Sequence, residues 1–254
     1  MAHTSCIYWF SGTGNSLYAA KKLSAGLGNL PLVQITNTTP IDAVGGNGMK
    51  IGFVFPSYFG NLPRVVKAFV EKLNINNDTY IFAVVTMGAV GQGSIGALES
   101  ALHAKGLKLN YGRGLKMPAN YVMKYNPADP DKSIATMKKT NSRIGRIISE
   151  ITSSKQLIRK LPITADNLFK DIASLDTKFS ASENCTSCGL CEKICPVENI
   201  QLEQSKPIWL NHCEHCAACI SWCPTKAINY GSTTQNRRRY RNKHISVSEL
   251  IPQE

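Results

Sequence analysis

Two cysteine runs with identical spacing carry the clearest chemistry in this 254-residue chain. Each has the form C-x2-C-x2-C-x3-C-P; the first extends from Cys185 to Pro196 and the second from Cys213 to Pro224. Three closely spaced thiolates can bind three irons of one [4Fe-4S] cube, while the fourth cysteine, beside proline, reaches the other cube. The predicted ligand sets are therefore Cys185, Cys188, Cys191 and Cys223 for one cluster, and Cys195, Cys213, Cys216 and Cys219 for the other.

A pair of four-cysteine zinc sites is the main alternative, and such sites would be tetrahedral and redox-silent. Zinc binding does not require this spacing twice with a terminal proline each time, so we favour iron–sulfur clusters. A disulfide framework fits less well, because only Cys6 remains outside the runs and we expect no secretory segment. We expect Cys6 to be a core residue, Trp222 to pack against a cluster, and His212 and His215 to be solvent-facing spacers.

The residues before the cysteine runs alternate between apolar, β-prone stretches and helical segments. Such alternation predicts a parallel sheet covered by helices on both faces. In these sheets, ligands bind beyond the carboxyl ends of the strands, where the strand order reverses. The predicted strands are 5–10, 32–35, 50–55, 80–86 and one that begins at 107, and the predicted helices are 17–27, 63–73 and 94–104.

Three loops that follow predicted strands contain residue types suited to a phosphate and a planar ring. The first loop lacks the lysine of nucleotide-hydrolysing P-loops. It opens onto a predicted helix, whose N-terminal N–H groups and dipole favour a phosphate, although an ordinary strand-to-helix turn is the alternative. An aromatic residue of the second loop could lie flat against the planar ring of a cofactor; the alternative is that it fills the core. The candidate cofactor-binding residues are Ser11, Gly12, Thr13, Gly14, Asn15 and Ser16, then Pro56, Ser57, Tyr58, Phe59 and Gly60, then Thr86, Met87, Gly88 and Gly91.

A further glycine pattern, Gly91-Gln-Gly93-Ser-Ile-Gly96, matches the G-x-G-x-x-G fingerprint of dinucleotide-binding folds. The acidic residue expected about 20 positions further on is missing, and Arg113 and Lys116 lie there instead. The pattern also follows a late strand rather than the first strand of a βαβ unit. A dinucleotide is therefore the less favoured ligand.

These motifs resemble two known families. Residues 5–117 resemble a flavodoxin, because the loop at 11–16 is similar to the FMN phosphate loop [ST]-x-T-G-N-[ST] and the loops at 56–60 and 86–91 resemble those that contact the isoalloxazine ring. Residues 180–230 resemble a two-cluster bacterial ferredoxin. The whole chain is similar to the flavodoxin–ferredoxin fusion proteins of anaerobic prokaryotes. The resemblance implies two [4Fe-4S] clusters and FMN as cofactors, and electron transfer as the role.

The resemblance also implies the domain organisation. We expect an α/β flavodoxin-like domain over residues 1–117, with a doubly wound, five-stranded parallel sheet of order 2-1-3-4-5. A small α+β ferredoxin-like domain with two clusters is expected over 180–231. Residues 118–179 fit neither family; we predict a helical connector, with a long helix at 133–158 and a shorter one that includes Ile172. By family likeness, 117–121 is an element that caps the flavin, and 232–254 is predicted to be a basic tail.

The net charge of +12 is lower once the predicted cofactors are bound. Each four-thiolate cluster carries roughly −2 and a flavin phosphate roughly −2, which leaves about +6. Much of the excess lies in Arg237–Lys243, a segment suited to an acidic redox partner protein. No nucleic-acid-binding fold accompanies this segment, and no apolar run approaches the roughly 18 residues of a membrane span. Eight reduced thiols imply a cytoplasmic protein of an anaerobe.

Together these features predict a soluble protein that relays electrons between two clusters and FMN, and so connects one-electron with two-electron partners. No acid–base or nucleophilic set is legible, so no catalytic residue is assigned. The alternative is an FMN-dependent reductase that binds its own small substrate at 117–125 and uses the clusters as its electron inlet. A redox or iron sensor that binds nucleic acid through Arg237–Lys243 is a third alternative.

Overall fold

A six-stranded sheet organises the N-terminal part of the computed structural model, which describes residues 5–41, 43–89, 91, 93–159 and 173–252. All neighbouring strands in this sheet are parallel. The first five strands have the predicted order, so the doubly wound fold is confirmed. Across the sheet the strands are β2 (Leu32–Gln34), β1 (Cys6–Trp9), β4 (Lys50–Pro56), β6 (Tyr80–Met87), β7 (Leu109–Lys116) and β8 (Leu157–Ile158). A separate parallel pair consists of β3 (Ala43–Val44) and β5 (Asn74–Ile75).

Helices cover both faces of the sheet, because its strands are apolar on both sides. On one face α2 (Arg64–Lys72) and α3 (Gly93–His103) pack against side chains such as Phe53 and Phe55. On the other face α1 (Asn15–Gly26) and α4 (Pro130–Thr152) pack against side chains such as Val54. The resulting layers place the loops after β1, β4 and β6 together at the carboxyl edge.

The helix predicted as a connector belongs instead to this α/β domain. Its observed range is α4, which packs against α1 and β7 and is followed by β8, the sixth strand of the sheet. The close approach of the two helices occurs at Gly26, where a Cβ atom would lie 2.4 Å from Cδ1 of Ile148. The structure thus adds a sixth strand to the five predicted ones, and no sequence pattern indicated it because β8 has only two residues and carries no alternation. The shorter helix predicted near Ile172 lies outside the described residues.

The C-terminal module consists of two antiparallel strand pairs and two short helices, in keeping with the predicted small α+β domain. Strand β9 (Phe179–Ala181) pairs with β12 (Ile228–Tyr230), and β10 (Ile200–Glu203) pairs with β11 (Lys206–Trp209). Helix α5 (Leu190–Lys193) lies in the first cysteine run and α6 (Ala218–Trp222) in the second. A small core formed by Phe179, Ile200, Ile220 and Ile228 also receives Val122 and Met123 from the loop after β7. The two modules therefore share packed side chains.

The segment predicted as a basic tail is folded against the rest of the molecule. Arg237 donates to the carbonyl oxygen of Val122 at 2.8 Å, and Arg238 donates to that of Pro127 at 2.9 Å. Ile245 and Leu250 are buried against the α1 face of the sheet. In these contacts the guanidinium groups donate to backbone carbonyl oxygens. Such hydrogen bonds explain how a segment with five basic residues can be part of the folded structure. Within the described part of the chain, no helix is both long and apolar enough to cross a membrane.

Glu150 links α4 to β7 of the sheet. The Tyr111 hydroxyl donates to its Oε2 at 2.7 Å, and Arg113 Nη2 lies 3.0 Å from both carboxylate oxygens. Burial acts to raise the Glu150 pKa, but the hydrogen bonds from Tyr111 and Arg113 and the nearby positive charge lower it from 4.5 to about 2. This shift means that the folded state favours the ionised carboxylate.

We predict that Glu150→Gln lowers the free energy of unfolding of the α/β domain by about 1.5–3 kcal/mol at pH 7, because a buried charged acceptor is lost. The folded-state pKa lies below the unfolded one, so this contribution is fully present above about pH 4.5 and is lost as the pH falls towards 2. Urea unfolding followed by far-ultraviolet circular dichroism measures the difference at each pH.

The matched control is Glu71→Gln, which removes an exposed i,i+4 pair with Lys67 at 3.6 Å. This change should cost no more than about 0.5 kcal/mol. Equal effects of the two substitutions would contradict the role of Glu150 in joining α4 to the sheet.

Candidate functional site

The eight cysteines of the two runs lie around two separate cavities in the C-terminal module. We call them the outer and the inner cluster cavity. Each contains three cysteines of one run and the proline-adjacent cysteine of the other, the arrangement predicted from the spacing. The outer cavity is lined by Cys185, Cys188, Cys191 and Cys223, and the inner cavity by Cys195, Cys213, Cys216 and Cys219.

Local backbone conformation turns each run around its cavity. In the first run, Ser187 and Gly189 have φ angles of 56° and 72°, and in the second, His215 and Ala217 occupy the same places with 52° and 61°. Residues in this left-handed region reverse the chain within a few positions and direct neighbouring N–H groups to one side. The two runs are therefore equivalent in conformation as well as in spacing.

Backbone N–H groups reach several of the ligand sulfurs. The amide of Asn199 donates to Cys195 Sγ at 3.2 Å, that of His215 to Cys213 Sγ at 3.3 Å, and that of Ala227 to Cys223 Sγ at 3.3 Å. Hydrogen bonds to sulfur stabilise negative charge on a cluster and set its reduction potential. Donors of this kind fit a thiolate-bound cluster.

The inner cavity is much more buried than the outer one. Cys213 and Cys219 are buried, whereas Cys188 in the outer cavity is exposed. Burial raises the pKa of Cys213 to about 12 and that of Cys219 well above its usual value. Such thiols become thiolates only beside a strong positive charge, which bound iron would supply. Among the described residues no three His, Cys, Asp or Glu side chains converge on one metal ion, so the assignment of clusters rests on spacing and family.

A cavity of about 400 Å³ lies at the carboxyl edge of the parallel sheet. It is the size of a small-molecule site. Most of the candidate cofactor-binding residues line it, from all three loops. They are Ser11, Gly12, Thr13, Asn15 and Ser16, then Pro56, Ser57, Tyr58, Phe59 and Gly60, then Thr86, Met87 and Gly88. We call this the flavin pocket, after the ligand that the sequence predicts.

Two of the candidate glycines do not line the pocket. A Cβ atom at Gly14 would lie 3.1 Å from Asn242 Cβ, so this glycine faces the C-terminal segment. A Cβ atom at Gly91 would lie 2.8 Å from the Cβ atoms of both Met87 and Ser57, so Gly91 packs behind the third loop. Both glycines permit close packing around the loops and make no contact with the pocket.

The side chain of Asn15 is also directed away from a ligand. Its Oδ1 accepts hydrogen bonds from the Tyr240 hydroxyl at 2.7 Å and from Asn242 Nδ2 at 3.1 Å, and its Nδ2 donates to the Pro118 carbonyl at 3.2 Å. The Asn242 amide donates to the carbonyl oxygen of Thr13 at 2.9 Å. The C-terminal segment therefore holds the first loop in shape, which no local pattern could reveal.

The first turn of α1 remains suited to a phosphate. Asn15, Ser16 and Leu17 form no backbone N–H hydrogen bond with any described residue. Ser16 and Thr86 hydroxyls lie 2.7 Å apart at the pocket wall. Free N–H groups, hydroxyls and the helix dipole bind a phosphate without a cation. These residues fit the phosphate of FMN.

The second loop places one aromatic ring inward and one outward. Tyr58 packs edge-on against Phe10, with ring centroids 6.0 Å apart, and burial, with the nearby Cys216, raises its pKa well above the usual value. Phe59, with a φ of 53°, is 37% exposed and meets the Tyr121 ring edge-on at 5.3 Å. Phe59 and Tyr121 are thus the rings at the pocket mouth, with the exposed Lys124 and Tyr125 beside them.

His215 corrects one expectation of the sequence. It is 1% exposed rather than solvent-facing, it lines the flavin pocket, and Tyr121 Oη lies 3.3 Å from its Nδ1. Burial lowers its pKa to about 4, so the ring is neutral at pH 7. Its Nε2 is buried and has no hydrogen-bond partner among the described residues. A polar ligand atom in the pocket would satisfy it, whereas the exposed His212 fits the predicted spacer role.

The inner cluster cavity and the flavin pocket share a wall. Cys216 and Ala217 line both, while the outer cavity and the pocket have no lining residue in common among the described residues. Gly12 packs so tightly on this wall that a Cβ atom there would lie 2.0 Å from the Cys216 carbonyl oxygen. Trp222 Nε1 donates to the Gly12 carbonyl at 3.1 Å. The second cysteine run therefore forms one side of the flavin pocket.

A buried ion pair holds the same run against α2. Glu214 accepts hydrogen bonds from the Arg64 amide at 3.0 Å and from Arg64 Nε at 3.1 Å. The Arg64 guanidinium also donates to the Cys213 carbonyl. Glu214 lies at the N-terminus of α2, where the helix dipole favours an anion. The second cysteine run is thus attached to the α/β domain at two places, the contact with Gly12 and this ion pair.

Known proteins support the description of the C-terminal module. Residues 184–228 match the family model of the 4Fe-4S dicluster domain. A ferredoxin of Pyrobaculum islandicum is 37% identical over 88 residues, which cover 33% of this chain and 81% of that protein.

Solved structures show a weaker likeness to part of this chain. A putative flavoprotein from Bacteroides uniformis is 18% identical, with a TM-score of 0.34 over 46% of this chain and 92% of that one. The Trp repressor binding protein from Bacillus subtilis is 12% identical, with a TM-score of 0.34 over 55% and 96%. Because these TM-scores are low, the fold is assigned from the observed strand order and not from these structures.

We predict that Cys223→Ser removes the outer cluster, although Cys223 belongs to the second run. After anaerobic reconstitution the iron content should fall to about half that of the wild type, because each cube holds half of the iron. Cys6→Ser is the control, since Cys6 is buried in the first strand and lines neither cavity. Iron analysis and electron paramagnetic resonance measure the result, and loss of the cube bound by Cys213, Cys216 and Cys219 instead would refute the assignment.

We predict that Gly12→Ala weakens FMN binding at least tenfold, because its methyl group would collide with a backbone oxygen that cannot rotate away. Gly145→Ala in α4 is the control, since no atom lies within 4 Å of a Cβ there. Equilibrium titration with FMN, followed by flavin fluorescence, measures the affinity. Unchanged affinity in Gly12→Ala would show that the cysteine run does not form the pocket wall.

Proposed function

We propose that this chain, which belongs to the [4Fe-4S] dicluster ferredoxins through its C-terminal module and joins that module to a flavodoxin-like domain, relays electrons between its two clusters and a bound FMN. Bound clusters would carry one electron each, and a flavin one or two. The chain would then connect one-electron and two-electron partners. The observation that carries the proposal is the wall that Cys216 and Ala217 provide to both the inner cavity and the flavin pocket.

The arrangement of the three sites indicates the order in which electrons would pass between them. The inner cavity adjoins the flavin pocket, and its Cys219 belongs to the same small core as Cys191 of the outer set. The outer cavity contains the exposed Cys188. A one-electron partner would therefore meet the outer cluster, and the inner cluster would stand between it and the flavin.

The protein's own residues would exclude water and fix distances. Trp222, buried beside the inner ligands, binds the phosphate loop through Gly12, and Arg64 binds the cysteine run through Glu214. Burial of these groups keeps the path short and dry, conditions that tune the potentials of bound cofactors. No acid–base residue is needed for these steps.

The test is anaerobic electron delivery from a reduced small ferredoxin, which is too large to enter the pocket. In the reconstituted wild type, flavin absorbance should bleach with that of the clusters. In Cys188→Ser, which alters an exposed outer ligand and no pocket residue, flavin reduction should be at least tenfold slower. Cys6→Ser should match the wild type. Flavin that stays oxidised beside reduced clusters, or equal rates in Cys188→Ser, would refute the relay.

A reductase with its own substrate is the second candidate, favoured by the open pocket mouth. Lys124 and Tyr125 are exposed there, and Lys124 is a cation that could hold an anionic substrate. Rapid reoxidation of the reduced protein by one organic compound, without any partner protein, would support this candidate. Lys124→Gln should then raise the KM for an anionic substrate and leave electron delivery from the ferredoxin unchanged.

A further inference from the structure

We propose that a second cavity, between the start of α4 and residues 238–244, binds a small organic anion with an apolar body. This cavity has a volume of about 270 Å³ and is separate from the flavin pocket. One side consists of Pro127 and Ala128 with the first two turns of α4, and the other of the basic segment. Its charged lining residues are Arg238, Arg239, Arg241 and Lys243.

The α4 side of the cavity is apolar. Ile134 is 55% exposed, the largest exposure of the large hydrophobic side chains described. Met137, one turn further on, is 9% exposed and closes the base with Pro127. An apolar ligand body that covered Ile134 and Met137 would remove this surface from water, which is favourable in proportion to the area buried.

The opposite side of the cavity is positively charged and includes no acidic residue among those that line it. Arg241 and Lys243 are exposed; Arg241 lies over the Trp222 ring at 5.6 Å, and neither has an ion pair with a described carboxylate. The Arg239 side chain is half-buried, and both of its Nη atoms donate to backbone carbonyl oxygens, although its Nε has no hydrogen-bond partner among the described residues. Arg241 and Lys243 are therefore the groups that would gain a counter-charge from an anion.

A carboxylate at the start of α4 is bound to another lysine and not to this rim. Asp129 caps α4, accepts a hydrogen bond from the Lys132 amide at 2.8 Å and lies 3.5 Å from Lys132 Nζ. The Arg238 guanidinium donates instead to the Pro127 carbonyl. The anion that fits therefore carries a carboxylate or a phosphate at one end and a hydrocarbon or an aromatic ring at the other.

The position of the cavity gives such a ligand a route to the flavin pocket. Tyr240 and Asn242 line the cavity, and both donate to Asn15 Oδ1 in the first loop. A ligand that fixes the 238–244 segment would also fix this loop. This coupling between the second cavity and the first loop rests on the proposed flavin site. Ligand binding in the second cavity does not depend on that site.

The test is isothermal titration calorimetry of the fully reconstituted protein in excess FMN, with hexanoate, benzoate and hexyl phosphate as probes. We expect one binding event per chain for at least one probe, weaker at 0.5 M than at 0.05 M salt because the charges are partly exposed. Hexylammonium and 1-hexanol should bind at least tenfold more weakly. Absence of binding by all three anions, or equal binding of hexylammonium, would overturn the proposal.

Two variants locate the site. Ile134→Glu places a negative charge at the mouth and should weaken binding at least tenfold, while Ile41→Glu, at another exposed isoleucine, should have no effect. Arg241→Gln with Lys243→Gln should likewise weaken binding, while Lys67→Gln on α2 should not. Binding that survives both cavity variants would overturn the proposal.

Analytical ultracentrifugation tests the alternative that a second copy of the chain occupies the cavity. If the cavity binds a small anion, the sedimentation of the wild type should not change with Ile134→Glu. A concentration-dependent dimer that Ile134→Glu dissociates would assign the cavity to self-association and overturn the proposal.

Discussion

The structure depends on a backbone contact between the first loop of the α/β domain and the second cysteine run. Gly12 can have no side chain, because its Cα faces the Cys216 carbonyl at a distance that leaves no space for a methyl group. The Trp222 indole closes the same contact with a hydrogen bond to Gly12. Two modules that could each fold around their own core are thereby joined at the residues that carry their chemistry.

This contact explains the arrangement of the C-terminal segment. After β12 the chain returns to the α/β domain, where Tyr240 and Asn242 hold Asn15, and Ile245 packs beside Gly14. The first loop is therefore enclosed by the cysteine run and by the C-terminal segment. Such enclosure fixes a phosphate loop in one conformation before a ligand arrives, which reduces the entropic cost of binding.

Charge is distributed in keeping with anionic cofactors. Each predicted cofactor is negative, and the described residues that line the flavin pocket include Lys124 and no aspartate or glutamate. The basic segment contributes arginines that bind backbone carbonyls, so its charge supports the fold while it remains close to the first loop. A negative ligand therefore meets no like charge from this described lining.

The sequence was informative where a pattern is local. The cysteine runs, the loop at 11–16 and the alternation of strands and helices were legible because each is contained in a few consecutive residues. The features it missed depend on contacts between distant residues: Gly12 with Cys216, Asn15 with Tyr240, and α4 with β7. His215 was misassigned because burial of a ligand-flanking histidine depends on the other domain. The glycine at 12 was the available signal, since a loop glycine can mark a close backbone approach.

The most direct test of the account is an anaerobic crystal structure of the reconstituted protein, with iron positions located by anomalous scattering. The account predicts two cubes, with the one ligated by Cys195, Cys213, Cys216 and Cys219 nearer to a flavin that contacts both the first loop and the Cys216–Ala217 wall. A structure in which the cube ligated by Cys188 is nearer to the flavin, or in which the flavin binds away from this wall, would contradict it.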